Sequence, residues 1–273
     1  MPLGIMRVES VGAAARALAA DAGARFVGGG TLVVRDANAG DVSIKTLILS
    51  DGLGLDRIAV DGTRVTIGAA TSMAGIAAHP TLGFLKPVAE SIGGPAIRNM
   101  ATVGGNLFAP YPYGDFAVAL LALGATVTVE DADRSEAIDL EALLGKDRRN
   151  KPAIVTGVSF ELPPAGAFRF AKVVRRKPHG ASVLSIAAVL PLAERKVAGA
   201  RVAYGAMAAT PMRARAVEKA LEGQSLDERT IAAAVKVAAE GCAPLSDPQA
   251  SAWYRLQVLP VHLRRLLSGG ERH

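Results

Sequence analysis

Short runs of apolar and β-branched residues alternate along the chain with longer apolar stretches of helical periodicity. The short runs predict strands at 25–27, 45–49, 126–130, 153–162, 168–174, 183–190 and 197–207. The longer stretches predict helices at 13–22, 72–78, 87–92, 116–123, 214–221, 226–239 and 252–267. Asp61-Gly62 joins the runs 58–60 and 65–67, and because this dipeptide suits a tight turn, we expect a hairpin there.

Breaks in the pattern of strands and helices predict two α+β modules. Pro163-Pro164-Ala165-Gly166 interrupts the pattern, and a glycine-rich turn is expected at 102–106. The length of 273 residues fits one large domain or two small ones. We therefore expect domains over 1–163, with subdomains of about 1–55 and 56–163, and over 164–273.

Composition removes several classes of protein. The chain has one cysteine, which rules out a disulfide framework, a four-cysteine zinc site and an iron–sulfur cluster held by this chain alone. Its four histidines lack metal-ligand spacing, so no metal site is expected. The apolar stretch 116–129 falls short of the ~20 residues that span a bilayer. Without a signal sequence, we expect a cytoplasmic protein with no membrane span.

Charge is divided unevenly along the chain. Residues 1–150 carry 13 basic and 16 acidic side chains, whereas 151–273 carry 18 basic and 9 acidic ones. The run Lys172, Arg175, Arg176 and Lys177 is typical of a solvated face, and contacts to an anion or to a partner are the alternatives. Aromatic residues make up 4% of the chain and no nucleic-acid motif is present, so we expect no nucleic-acid partner.

Two glycine-rich segments are candidates for binding an anion. Gly28-Gly29-Gly30 follows a predicted strand, and three glycines let N–H groups converge on one point, although such a triplet is also common in plain loops. The second segment, Thr102 to Asn106, holds two more glycines, a hydroxyl and an amide. Asp115 precedes an apolar helix, where it could cap the helix or accept hydrogen bonds from a ribose diol. Two such segments suit a pyrophosphate held from two sides.

These residues resemble the FAD-binding, or medium, subunit of molybdenum hydroxylases. Val27-Gly28-Gly29-Gly30-Thr31-Leu32 is similar to the family pattern [AG]-G-G-[TH]-[DNS]-L, with Gly28 in its first place. The stretch from Ile97 to Asn106 resembles I-R-n-x-[AG]-T-[IVL]-G-G-N, and Tyr111 to Asp115 resembles its D-x-P-x-x-D tail. Phe170 to Arg176 resembles the Y-E-K-x-x-R-[RK] segment that opens the family's C-terminal domain.

The resemblance implies an α+β architecture: a two-subdomain FAD-binding domain of the vanillyl-alcohol-oxidase (PCMH) type, then a small α+β C-terminal domain of the CO dehydrogenase flavoprotein type. FAD would lie extended, with its pyrophosphate at the glycine segments, its adenosine ribose at Asp115, its flavin end near Lys172 and a small residue, Gly93, close by. The implied cofactor-binding residues are Val27, Gly28, Gly29, Gly30, Thr31, Leu32, Gly93, Ala101, Thr102, Gly104, Gly105, Asn106, Asp115 and Lys172.

The chain departs from the family pattern within two of these motifs. Leu32 stands where the family usually has Asp, Asn or Ser, and the first acidic residue of the D-x-P-x-x-D tail is absent, which leaves Asp115 alone. Backbone contacts to the cofactor survive such changes, whereas side-chain contacts do not.

The resemblance also implies a function. As an oxidoreductase subunit active only in a heterotrimer, the chain would take electrons from a small [2Fe-2S] subunit, whose partner is a large molybdopterin-binding subunit. FAD would pass them to a terminal acceptor, and no acid–base residue of this chain is required. The alternatives are a stand-alone flavin oxidase or reductase of related fold, or a scaffold subunit that has lost FAD. The organic substrate and the acceptor cannot be named from the sequence.

Overall fold

The computed structural model describes residues 3–145, 153–178 and 180–269. Its contacts divide them into two compact units. The first unit takes in the described residues up to Ala109 and those from Ala125 to Glu161. The second takes in Pro110 to Gly124 and those from Leu162 onwards. The segment 110–124, which contains Asp115, thus belongs by its contacts to the second unit, while the domain boundary expected at residue 163 stays a prediction.

The first unit begins with a small parallel sheet. Its strands are β1 (Gly4–Met6), β2 (Ala24–Val27) and β3 (Thr46–Leu49), in the order β1-β3-β2. Helix α1 (Val11–Ala20) begins at Ser10, whose side chain accepts a hydrogen bond from the Ala13 N–H, and packs its alanines against the sheet. Helix α2 (Val33–Asn38) follows β2 after residues 28–32.

An antiparallel sheet of five strands completes the sheets of this unit. The strands run in the order β4-β5-β8-β6-β7, with bounds β4 (Ile58–Asp61), β5 (Arg64–Gly68), β6 (Thr126–Glu130), β7 (Ser135–Asp139) and β8 (Ile154–Glu161). Strands β4 and β5 form the hairpin expected around Asp61-Gly62. Strand β7 was not expected from the sequence, because its charged residues break the apolar alternation.

Short helices lie between β5 and β8 in the chain. They are α3 (Met73–Ala78), a 3₁₀ turn (Pro80–Leu85), α4 (Lys86–Glu90), α5 (Pro95–Met100), α6 (Val103–Leu107) and α8 (Leu140–Leu144). Helix α7 (Asp115–Leu123) belongs to the second unit. The expectation of a turn at 102–106 is wrong: the Thr102 side chain accepts from the Gly105 N–H and starts α6 despite the two glycines.

The second unit is a four-stranded antiparallel sheet covered on both faces. The sheet runs in the order β14-β13-β10-β9, with bounds β9 (Phe168–Val174), β10 (Ser182–Val189), β13 (Arg201–Gly205) and β14 (Met212–Arg213). A separate hairpin pairs β11 (Leu192–Ala193) with β12 (Lys196–Val197). The single strand expected over 197–207 is therefore two strands, because Gly199 turns the chain between them with a φ of 77°.

Helix α7 (Asp115–Leu123) covers one face of this sheet. It packs on β10 and β13, and all its residues are buried. The other face is covered by α9 (Arg215–Leu221), α10 (Glu228–Lys236) and α11 (Ala252–Leu267), which share a core with Leu184 and Ile186 of β10. Since both faces are covered, β10 is buried along its entire length and shows no polar alternation.

Candidate functional site

The first glycine segment, residues 28–32, connects β2 to α2. Among the described residues, the backbone N–H groups of 28–32 donate to no protein oxygen, and the segment is half-buried or exposed. Gly30 turns the chain with a φ of 71°. A run of unbonded N–H groups through a turn with a left-handed residue is the arrangement that binds anions in proteins. The segment can therefore donate hydrogen bonds to the oxygens of a phosphate.

The first glycine segment lies against the residues that precede α6. A Cβ on Gly29 would stand 1.5 Å from the Met100 carbonyl oxygen, and a Cβ on Gly28 would stand 2.6 Å from the Thr102 hydroxyl. Only glycine permits this approach. The structure thus brings together the two glycine segments that the sequence places about 75 residues apart.

The second glycine segment, residues 102–106, differs in chemistry from the first. The N–H groups of Val103, Gly104 and Asn106 donate to the carbonyls of Thr71, Ala69 and Thr102. The Gly105 N–H donates to the Thr102 hydroxyl at 3.1 Å. The expectation of a second set of free backbone donors is therefore not met. What this segment offers is the O–H of Thr102, which still has its proton to donate.

The remaining residues of the expected set in the first unit have structural explanations. Val27 is buried at the end of β2, and Leu32 begins α2 without a capping hydrogen bond. Gly93 adopts a φ of 57° ahead of α5, and its carbonyl accepts from Arg98 at 2.6 Å. Ala101 is buried and its carbonyl accepts from the Met73 N–H. Thr31 and Asn106 are half-buried. Contacts from these residues to a cofactor stay predictions.

Asp115 and Lys172 form one buried ion pair in the second unit. The Lys172 Nζ lies 2.8 Å from Asp115 Oδ2, and the two side chains are 10% and 6% exposed. Asp115 does not cap α7, because the helix begins after Gly114 and has no side-chain cap. The expectation that Asp115 and Lys172 serve opposite ends of an extended cofactor also needs correction, since their charged groups occupy one place.

The rest of the basic run is exposed. Arg175 donates to the Pro248 carbonyl at 3.0 Å, and Arg176 and Lys177 lie at the surface. These three residues have the solvated surroundings that a basic run usually has. They differ in this from Lys172, whose side chain is buried.

Two family models match most of the chain. The FAD binding domain in molybdopterin dehydrogenase matches residues 1–163, and the CO dehydrogenase flavoprotein C-terminal domain matches residues 169–269. The chain belongs to the FAD-binding subunits of the molybdenum hydroxylase family. This confirms the resemblance, the α+β fold, the oxidoreductase class and FAD as the cofactor.

Relatives of this FAD-binding subunit are 25–30% identical to it over the aligned residues. The glyceraldehyde dehydrogenase medium chain of Sulfolobus acidocaldarius is 30% identical over 206 residues, 72% of each chain. The 6-hydroxypseudooxynicotine dehydrogenase complex subunit alpha of Paenarthrobacter nicotinovorans is 30% identical over 225 residues, 79% of this chain and 75% of the relative. Reconstituted CO dehydrogenase from Oligotropha carboxidovorans has a chain of the same fold, with a TM-score of 0.90, 25% identity and coverage of 98% and 97%.

The residues of this flavoprotein subunit fit FAD at its diphosphate. The unbonded N–H groups of 28–32 and the Thr102 hydroxyl lie side by side in the first unit, and both are hydrogen-bond donors without an acceptor in the described chain. Donors in this state match the oxygens of a pyrophosphate. In the ranges that the structure describes, no three His, Cys, Asp or Glu side chains are placed to hold a metal, and no helix is long and apolar enough to cross a bilayer.

Sequence reasoning missed the polar residues that surround the Asp115–Lys172 pair. Ser182 donates to Asp115 Oδ1 at 2.7 Å. Arg255, which is fully buried, donates to the carbonyl of Ser182 and pairs with Asp247 at 2.7 Å. The Tyr111 ring covers the Arg255 guanidinium, and burial raises the pKa of Tyr111. An arginine at an apolar position of α11 was the one signal in the sequence that could have pointed to this cluster.

Proposed function

We propose that this chain is the FAD-carrying electron-transfer subunit of a complex that also contains a large molybdopterin-binding subunit and a small [2Fe–2S] subunit. Relatives are called the medium chain of a dehydrogenase or a subunit of a dehydrogenase complex, which supports an assembly of several chains. The single cysteine supports clusters held by another chain, because a [2Fe–2S] cluster needs about four ligands.

When bound, the flavin would supply the redox chemistry, which is uptake of electrons delivered by the [2Fe–2S] partner and their release to a terminal acceptor. The residues of this chain would bind the cofactor and orient it. The N–H groups of 28–32 and the Thr102 hydroxyl would stabilise the negative charge of the pyrophosphate by donating hydrogen bonds. This row of donors, unbonded in the described chain, is the observation that carries the proposal.

The Asp115–Lys172 pair would serve the adenosine ribose. A carboxylate accepts hydrogen bonds from a diol, which is the part that an acidic residue has in other dinucleotide sites. Since Lys172 lies 2.8 Å from that carboxylate, we place it at the ribose too, and no longer at the flavin end. Lys172 then holds the carboxylate ionised and in place.

The experiment is reconstitution of the purified chain with FAD, followed by its assembly. The colourless apoprotein should take up about one FAD per chain and show flavin absorbance, and the complex purified through this chain should contain molybdenum and iron. Failure to bind FAD would contradict the proposal in favour of a scaffold role. Flavin without molybdenum or iron, together with turnover by the isolated chain, would favour a stand-alone flavin enzyme.

A further inference from the structure

We infer that Ser182 is a positioning residue for Asp115, and through it for the cofactor. The Ser182 hydroxyl is buried and donates to Asp115 Oδ1 at 2.7 Å, while Lys172 holds Oδ2 at 2.8 Å. The inference rests on the proposed function, in which Asp115 receives the ribose of FAD.

Two donors on separate oxygens fix the plane of a carboxylate. The terminal torsion of an aspartate is broad, so a single partner leaves the group free to rotate. Lys172 is a flexible point donor that follows the oxygen it binds. Ser182 is attached to the sheet by a side chain with a single heavy-atom torsion, and therefore sets the direction of the second oxygen. The remaining acceptor positions of Asp115 then point in a fixed direction.

The backbone at Ser182 is itself held in place. It starts β10, where the register with β9 shifts between Ser182 and Leu184, and a bulge of this kind loosens a ladder. Arg255 compensates, because one of its guanidinium nitrogens donates to the carbonyls of Ser182 and Val183. That arginine is fully buried, and Asp247 balances its charge at 2.7 Å.

Ser182 adds direction without adding charge. Its removal leaves the Asp115–Lys172 pair and its net charge intact. A loss of orientation should therefore weaken binding of ligands that contain the adenosine ribose and spare those that lack it. A loss of folding would act on both kinds of ligand, so the comparison of FAD with FMN separates a loss of orientation from a folding defect.

The experiment uses the full chain as apoprotein, titrated with FAD, ADP and FMN. Ser182→Ala should weaken FAD and ADP about tenfold and FMN by less than about twofold, because the carboxylate of Asp115 must then be oriented when the ribose binds. Ser182→Thr, which keeps the hydroxyl, should restore the affinity. Ser182→Cys places a weaker donor of similar size at this position and should bind like the alanine variant. Because it fills the same space, its loss of affinity would not come from a packing defect.

A matched control lies on the same strand. The Ser185 hydroxyl is fully buried and has no hydrogen-bond partner among the described residues, so Ser185→Ala should leave all three affinities unchanged. Asp115→Asn tests the underlying assignment. If Asp115→Asn weakens FAD while Ser182→Ala and Ser182→Cys bind it as the parent does, the positioning role is refuted and the proposed function stands. If Asp115→Asn has no effect, the ribose assignment itself is wrong.

Discussion

The two units of the molecule carry different kinds of candidate ligand-binding groups. The first unit presents backbone N–H groups in 28–32, next to a single hydroxyl. The second presents charged side chains, Asp115 and Lys172, buried and held by further polar groups. Backbone donors need glycine and close approach, whereas buried charges need partners. Substitutions in the first unit should therefore act through sterics, and those in the second through electrostatics and orientation.

Gly29→Ala is expected to have the largest effect. Its Cβ would overlap the Met100 carbonyl, so the two glycine segments must separate. We expect FAD affinity to fall by about 100-fold or more and the free energy of unfolding by at least about 3 kcal/mol. Isothermal titration with FAD and far-UV circular dichroism in urea measure both.

The control for Gly29→Ala is Gly83→Ala, where a Cβ would meet nothing within 4 Å. Tryptophan and all four tyrosines lie in the second unit. The near-UV signal of those residues should therefore be preserved in Gly29→Ala. Wild-type FAD affinity in this variant would show that the approach of the two segments is unnecessary.

Arg255→Leu should destabilise the second unit, and for an electrostatic reason rather than a steric one. The substitution leaves Asp247 without its cation and two carbonyls without their donor. Removing one partner of a buried ion pair costs about 3–5 kcal/mol. Urea unfolding followed by far-UV circular dichroism measures the loss. Arg264→Leu on the same helix is the control, since its pair with Glu228 is exposed and worth about 1 kcal/mol or less. Equal losses of stability in the two variants would show that the buried ion pair of Arg255 contributes no more than the exposed pair of Arg264.

Lys172→Met tests which end of FAD the charged pair serves. It leaves Asp115 buried without its cation, so FAD affinity should fall by about tenfold or more. If the pair lies at the ribose, the midpoint potential of bound flavin should stay within about 10 mV of the parent. A shift of tens of millivolts to lower potential would place Lys172 at the flavin instead, because a cation there favours the reduced form.

Thr102→Val should weaken FAD binding by about tenfold, through loss of one donor to the pyrophosphate, and should cost about 1 kcal/mol through loss of the cap of α6. Thr102→Ser keeps the hydroxyl and should restore both. Ser72 caps α3 in the same way, so Ser72→Ala should lower stability by a similar amount and leave FAD affinity unchanged. A Thr102→Val variant with undiminished affinity would leave the backbone N–H groups as the sole anchor.

The two regions also differ in how far the sequence reveals them. Glycines mark the first, because a backbone conformation is encoded locally, and the hairpin of β4 and β5 was predictable for the same reason. Helix α6 was not, since the contacts of its amides with Ala69 and Thr71 override the poor helix propensity of glycine.

The second region is assembled from residues far apart in the chain. Ser182 lies 67 residues from Asp115, and Arg255 lies 73 residues from the carbonyl it binds. No local pattern specifies such pairs. The family motifs locate Asp115 and Lys172 individually, yet their pairing follows from the packing of α7 on the sheet, which a single sequence does not show.

The smallest expected effect is a loss of stability at alkaline pH, which is confined to the second unit. Burial raises the pKa of Cys242 from 9.0 to about 11, and burial also raises the pKa values of Tyr111 and Tyr204. Above pH ~9 the unfolded chain releases protons that the folded chain keeps, so stability falls as pH rises. The loss should begin with the thiol and continue above pH ~10 with the tyrosines.

Urea midpoints from pH 7 to 10.5, read from far-UV circular dichroism, measure this loss. It should be about 1 kcal/mol or less for Cys242, because the thiol is partly solvated. Cys242→Ala should flatten the first part of the decline and Tyr204→Phe the second. Tyr254→Phe, at an exposed position, should change nothing. An alkaline loss that stays undiminished in a variant carrying both Cys242→Ala and Tyr204→Phe would show that these buried groups are not its cause.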